Sequence, residues 1–249
     1  MKEGLEIIKS SFPRIAQQIP VTLEMFIIFV LLAFVISVPF AIIRVKKRGI
    51  LYPIVSLIVS FFRGTPMTVQ IFVIFFGMPV VMENFGVNAN LWNPIVFPII
   101  ALGLNQACYY CEAWRSAYLS IDKGQIEAGK SIGFGTVQNF LNVIAPQCLR
   151  VAMPNMKNLT TEGLKSTALA FSIGVVDIMG KAHELCAVHF GLGSTWIYLA
   201  ASLLYWAIDI VIEIVFTVIA KINSKGFEVI GEKKKRKVKT AAAIGAAKI

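Results

Sequence analysis

MFIIFVLLAFVISVPFAII, Met25 to Ile43, contains no charged side chain, and Arg44, Lys46, Lys47 and Arg48 follow it at once. An α-helix needs about 20 mostly apolar residues to cross a hydrocarbon core about 30 Å thick. An ionised group at mid-bilayer is costly and avoided, so a charge-free run of this length reads as a membrane span. Lysine and arginine stay in the cytoplasm, so the basic group marks its inner end. The run is too long for the apolar centre of a signal peptide and lacks a small-residue cleavage site, which predicts a retained anchor.

The same reading extends along the chain. Gly64 to Met82 and Asn84 to Cys111 carry no charge, and Leu185 to Tyr205 leads into a last helix holding only Asp209 and Glu213 before Lys221. Thr167 to Met179 is a weaker fifth segment, short and bearing Asp177. Hydrophobic residues make up 57% of the 249 positions and charged residues only 15%, against roughly 25% charged in soluble domains. That balance excludes a soluble enzyme, a disordered tail and a disulfide-rich secreted module. The run from Ile50 to Val80 would measure about 46 Å as one helix, so it must tilt, break or start outside the core. Gly64 and Pro66 lie in its middle, where both loosen a helix.

Arg44 to Arg48, then Lys123, Lys130, Arg150 and Lys157, then the tail from Lys221 to Lys239 hold most of the positive charge, whereas the segment from Val81 to Asn93 has none. An all-α membrane protein of about five transmembrane helices satisfies every loop, with the N-terminus outside and the C-terminus inside. Residues 1–225 form the membrane domain, with a cytoplasmic loop over about 119–158, and 226–249 form a basic cytoplasmic tail. Residues 1–18 read as an amphipathic segment at the outer interface. The net charge of +10 and the tail run KKKRKVK follow from this topology, so no nucleic-acid partner is expected.

Several motifs invite chemistry that their context does not support. GQIEAGKS, Gly124 to Ser131, matches a phosphate-binding loop letter for letter, but such a loop works only when a strand delivers it and a helix follows. Here a membrane span precedes it. The better reading is a short helix from about Gly124 to Ile132, capped by Asp122 and stopped by Gly133 in a left-handed turn. A second short helix from about Thr136 to Ala145 places Val137, Phe140, Leu141 and Ile144 on one face, and Pro146 ends it. Cys108 and Cys111 form a C-x-x-C inside a span, where small side chains pack like alanine. His183, Cys186 and His189 follow no common zinc spacing and lack a fourth ligand. No metal, no cofactor and no catalytic residue is expected.

Polar residues inside spans usually face a bundle interior or a water-filled path. Arg63, Thr65, Gln70, Asn105, Glu112, Lys165, Ser166 and Thr167 are the candidates for lining such a path, with Ser172 and Asp177 beside them. For Asn105 a pathway role and an interhelical hydrogen bond are equally open. Thr161, Lys165, Ala168 and Ser172 share one helical face that is too polar for lipid.

EAGKSIGFGTVQNFLNVIAPQ, Glu127 to Gln147, resembles the E-A-A...G...I-x-L-P loop of permease subunits of prokaryotic ABC importers. Glu127, Ala128, Gly133, Ile144 and Pro146 fall on that pattern, while Gly129 replaces its second alanine and Ala145 its leucine. FFRGTPMTVQIFVIFFGMP (Phe61 to Pro79), LNQACYYCEAWRSAYLSIDKGQIEA (Leu104 to Ala128) and LKSTALAFSIGVVDIMG (Leu164 to Gly180) are similar to the polar amino acid branch of that family, in its order. The resemblance implies a multi-pass subunit of a prokaryotic cell membrane that performs no covalent chemistry. It implies pairing with a second permease, identical or homologous, and coupling through Glu127, Ala128, Gly133, Ile144 and Pro146 to an ATP-binding subunit. An extracytoplasmic binding protein would deliver an amino acid. Members often carry an acidic residue where Ser166 stands, so a polar, net-neutral substrate such as cystine or glutamine is expected over arginine or lysine. A self-contained channel or secondary transporter for small polar solutes is the rival reading; it would need no docking loop.

Overall fold

The structure, a computed structural model, describes residues 2–224; the basic tail expected at 226–249 lies outside them. Helices α1 (Lys2–Ala16), α2 (Ile19–Lys46), α3 (Leu51–Gly64), α4 (Met67–Glu83), α5 (Val96–Leu119), α6 (Lys123–Ser131), α7 (Thr136–Asn139), α8 (Ala145–Ser166), α9 (Ile178–Val188) and α10 (Ser194–Ser224) account for most of it. Turns of 3-10 helix occupy Ala89–Leu91 and Thr167–Ile173, and a π turn occupies Phe140–Ile144. No strand occurs among the described residues.

The charge-free run Met25 to Ile43 lies within α2. Pro20 sits in its first turn, where a missing N–H costs nothing, and Lys47 at φ 49° ends it with its N–H on the Ile43 carbonyl. Ile19–Lys46 and Ser194–Ile222 are long and apolar enough to cross a membrane. Two bent pairs bring the number to as many as four: Leu51–Gly64 with Met67–Glu83, bent by 113°, and Thr136–Ile173 with Ile178–Val188, bent by 46°. About five spans were expected, one of them broken; α5, where Asn105, Gln106 and Glu112 dilute the apolar sequence, is not among these candidates.

What α5 lacks in apolarity it recovers in burial. It is the central helix, with Ala101, Leu102, Ala107, Cys108, Tyr110, Cys111, Ala113 and Ala117 nearly or fully inaccessible. Helix α2 packs along it, and α3, α4 and α8 cover other sides. Small residues let the backbones approach, because in lipid helices associate by close packing rather than by exclusion of water. A Cβ on Gly103 would stand 2.7 Å from Leu32 Cδ2, and one on Gly163 would stand 3.3 Å from the Phe29 ring and 3.1 Å from Gln106 Oε1. Gly163 is thus the point where α8 meets both α2 and α5. The outward faces of α2 and α10 remain covered in exposed apolar side chains, including Leu31, Val35, Val211 and Ile214.

One boundary matches the sequence reading and three features differ. The break in Ile50 to Val80 falls where Gly64 and Pro66 place it, with Thr65 extended between them. By contrast, Pro146 does not end a helix. The π turn bonds the Ala145 N–H to the Phe140 carbonyl, so Pro146 lies in the first turn of α8, which continues to Ser166. The run Leu185 to Tyr205 is also not continuous: α9 stops at Val188, and Phe190, Gly191 and Gly193 at positive φ turn the chain into α10. The polar face through Thr161, Lys165, Ala168 and Ser172 likewise stops halfway, because the helix tightens to 3-10 at Thr167.

Replacing Gly163 by leucine is expected to lower stability by about 1 to 3 kcal/mol through overpacking. A fall in the thermal unfolding midpoint of the detergent-solubilised protein would measure it, with Gly163→Ala intermediate.

Candidate functional site

The break between α3 and α4 leaves the last carbonyls of α3 without intrahelical donors. Side chains supply them. Gln70 Nε2 lies 2.8 Å from the Phe62 carbonyl, 3.0 Å from the Thr65 carbonyl and 2.7 Å from Thr65 Oγ1, sharing its two N–H bonds among them. Asn105 Nδ2, from α5, donates to the Phe62 carbonyl at 2.8 Å and to Gln70 Oε1 at 2.9 Å. Thr65 Oγ1 donates back to the Phe61 carbonyl at 2.9 Å. Three of the residues expected on a path, Thr65, Gln70 and Asn105, therefore form one network that holds a break open. Asn105 is an interhelical hydrogen bond, which answers one half of the question left open for it.

Arg63 and Glu112 form a second group. The Glu112 carboxylate receives Arg44 from α2 and Arg115 from its own helix, and Arg63 Nη1 stands 3.8 Å away. The Arg63 guanidinium also lies over the Tyr109 ring, 5.2 Å from its centroid. One carboxylate thus ties together the ends of α2 and α3 and the C-terminal half of α5.

Lys165, Ser166 and Thr167 form the third group, at the junction of α8 and the 3-10 segment. Lys165 is exposed, while Thr167 is fully buried and donates to the Leu164 carbonyl at 2.7 Å. Ser166 Oγ donates to the Glu162 carbonyl at 3.0 Å. The 3-10 segment packs against α4 and α5, and Met67, the first residue of α4, lies on the same core cluster as Leu164 and Ala170. The residue that follows the break and the 3-10 segment thus border one apolar cluster. Asp177, by contrast, is committed locally: it caps α9 through the Gly180 N–H at 2.8 Å and accepts from the Tyr205 hydroxyl at 3.0 Å. Two contacts between α5 and α8 had no sequence signal, Gln106 Nε2 on the Leu159 carbonyl at 2.9 Å and Tyr110 Oη with Thr160 Oγ1 at 2.6 Å.

The hydrophilic loop is built from local signals and one distant one. Asp122 accepts from the Gly124 N–H at 2.8 Å and starts α6, and Gly133 at φ 86° turns the chain after it. Because Lys123–Ser131 is helical throughout, GQIEAGKS cannot wrap its backbone N–H groups around a phosphate. Asn139 is buried, and its Nδ2 donates to the Ile126 carbonyl at 2.8 Å, locking α7 onto α6. It lies directly over Gly129, where a Cβ would fall 2.1 Å from Asn139 Oδ1. Glu127, Ala128 and Pro146 are exposed, while Ile144 is buried. Ile132, Val137 and Leu141 are exposed by 70%, 71% and 59%, an apolar stripe that no described part of the chain covers.

Among the described residues no three His, Cys, Asp or Glu side chains gather as a metal site. His183 and His189 are exposed, Cys186 is buried, and the His183 ring lies on Phe171 at 5.1 Å. Cys108 and Cys111 are free thiols inside α5.

Residues 33–222 match the family described as binding-protein-dependent transport system inner membrane component. The chain belongs to this family. It is 34% identical over 217 residues to the L-cystine transport system permease protein TcyL of Bacillus subtilis (strain 168), covering 87% of this chain and 90% of the relative. It is 36% identical over 200 residues to the probable amino-acid ABC transporter permease protein PatM of Vibrio harveyi, covering 80% and 87%. The fold matches that of a chain in a crystal structure of an amino acid ABC transporter with histidines, with TM-score 0.72 and 23% identity over 87% of this chain and 97% of that one. The permease is therefore a membrane transport component of an ABC importer and not an enzyme. Membership of this family implies an ATP-binding subunit and a substrate-binding protein as its partners.

Asn105→Ala strips one donor from the Phe62 carbonyl and leaves Gln70 Oε1 without its partner, at an expected cost of about 1 to 3 kcal/mol. The double variant with Gln70→Ala should lose less than the sum of the single losses in thermal unfolding, since both act on one network. In the loop, Gly129→Ala and Asn139→Ala should each destabilise the α6 and α7 pair. Their combination should recover part of the loss, read by protease resistance of the loop in the intact permease.

Proposed function

We propose that this permease crosses a prokaryotic cell membrane five times, N-terminus outside and C-terminus inside, and passes polar, net-neutral amino acids. Adding the protein-wrapped α5 to the four candidate spans gives five crossings. The arginines and lysines after α2, from Lys123 to Lys157 and at the end of α10 then all fall on the cytoplasmic side. Relatives named for L-cystine transport support the substrate class, and Ser166 in place of an acid argues against a cationic one.

The observation that carries the reading is the group of exposed apolar side chains on the loop. A surface of Ile132, Val137 and Leu141 held in shape by Asp122, Gly133 and Asn139 is suited to a protein partner, and the ATP-binding subunit is the partner proposed for it. Glu127 and Ala128 sit on the same short helix, Ile144 anchors the next one from beneath, and Pro146 starts the helix that leads away. That helix, α8, runs from the loop to Lys165, Ser166 and Thr167. A shift of the loop on ATP binding would therefore reach the path directly, provided the partner contacts differ between the two states.

The path itself is assigned to the meeting of the two irregular stretches. Non-helical backbone at membrane depth is tolerated where it is buried in protein or lines a water-filled cavity. Thr65, Gln70 and Asn105 stand on one side, Lys165, Ser166 and Thr167 on the other, with Arg63 and Glu112 flanking. Lys165 offers a cation to the substrate carboxylate. A second copy of the permease, or a homologue, completes the path.

Uptake by the reconstituted complex tests this. Gly133→Val, at a cost of about 1 to 3 kcal/mol in a left-handed turn, and Glu127→Lys should abolish uptake while leaving the permease in the membrane. Lys130→Ala should retain it. Excess cystine or glutamine should compete for uptake and excess arginine should not; the reverse order would move the ammonium partner to an acidic residue such as Glu112.

A further inference from the structure

Three acids of the helix bundle already have partners. Glu112 is held by Arg44 and Arg115, Asp177 by the Gly180 N–H and the Tyr205 hydroxyl, and Glu213 by Lys157 at 2.9 Å. Asp209, in the middle of α10, differs: its Oδ1 is buried and finds no hydrogen-bond partner among the described residues. An acid inside a span is costly and almost always faces a bundle interior or a water-filled cavity. A buried carboxylate oxygen without a partner adds to that cost.

The wall beside Asp209 is α8. Lys157 pairs with Glu213, and Leu164, further along α8, shares a core cluster with Tyr205, Ile208 and Ile212 of α10, so the two helices run antiparallel in a fixed register. One turn from the pair of Lys157 and Glu213, Thr161 comes level with Asp209, and the next turn of α8 carries Lys165. Lys165 is exposed and pairs with no described carboxylate, Asp209 included. A cation and an anion thus stand on adjoining helices about 5 Å apart along the axis, without bonding each other.

We infer that Asp209 takes the ammonium group of the transported amino acid while Lys165 takes its carboxylate, so that the seam between α8 and α10 holds a zwitterion. The inference rests on the path assigned above to Lys165, Ser166 and Thr167, and adds the acid which that path lacks. An amino acid carries both charges on one carbon, so it gives each side chain its counter-charge at once. One acid and one base serve a net-neutral molecule; a cationic side chain would call for a second carboxylate.

The test uses the permease assembled with its ATP-binding subunit in lipid nanodiscs, without the substrate-binding protein, whose own selectivity would mask that of the path. Equilibrium binding of glutamine and cystine is compared with that of glutaramate and dithiodipropionate, the same molecules without their ammonium groups. The wild type should favour each amino acid over its analogue. Asp209→Asn should lower that preference about tenfold, the effect of one charge-assisted hydrogen bond, and Glu162→Gln, at an exposed acid of α8, should leave it unchanged. Asp209→Asn should also keep or raise the thermal unfolding midpoint, whereas loss of a carboxylate that only tied α10 to α8 would lower it. Asp209→Glu should alter binding of the amino acids but not of the analogues, and gives the same readout should Asp209→Asn fail to fold. An unchanged preference in Asp209→Asn, or a loss that follows Glu162→Gln instead, would overturn the assignment of Asp209. Uptake by the full complex tests the path apart from it. Loss of uptake in Lys165→Gln beside an unchanged preference in Asp209→Asn refutes Asp209 alone. Normal uptake in Lys165→Gln, or no binding of either amino acid to the wild type, refutes the path and this inference with it.

Discussion

A carbonyl at the end of a helix inside a membrane has no water to bond, and the hydrogen bond from Asn105 to the Phe62 carbonyl meets that constraint for α3. The rest of the arrangement depends on it. Without the Asn105 and Gln70 amides, a chain stopping at Gly64 and restarting at Met67 would expose unpaired backbone to lipid. With them, α3 can turn by 113° and lie apart from α4. One amide that serves the break comes from α5, so the central helix helps fix the kink of its neighbour, and Asn105, one of the polar residues that weaken α5 as a span, is also one that holds the bend between α3 and α4.

Electrostatics work in the same direction. Glu112 on α5 holds Arg44 and Arg63, so α2, α3 and α5 are joined at one carboxylate as well as by packing. Around Gly103 and Gly163 the helices approach through missing side chains. The central bundle is thus fixed by three kinds of contact, whereas the loop from Lys123 to Ile144 is fixed mainly within itself.

The parts legible from sequence were those set by local chemistry. Charge-free runs gave α2 and the region of α4 and α5; Gly64 and Pro66 gave the break; Asp122 and Gly133 gave both ends of α6. What was not legible depended on contacts between distant positions. Pro146 reads as a stop only while the helix before it is α-helical, and a π turn makes it a start. Thr65, Gln70 and Asn105 were visible as polar residues in apolar runs, but not as partners in one network. Asn139 went unnoticed because an asparagine in a hydrophilic loop carries no signal, although the glycine at 129 that makes room for it stood out as a departure from the family pattern. Thr160 and Tyr110 were missed for the same reason: each is unremarkable alone.

The chain order of these contacts bears on how the protein is made. As α5 leaves the ribosome, its polar side chains make it a poor candidate for entering lipid alone. The Phe62 carbonyl, Gln70, Arg44 and Arg63, which receive Asn105 and Glu112, all lie upstream and have already been synthesised. Only Gln106 and Tyr110 must wait for α8 to supply Leu159 and Thr160. Insertion can therefore proceed in sequence, with Asn105 and Glu112 of α5 meeting partners already in place and the side bearing Gln106 and Tyr110 closed by the helix that follows.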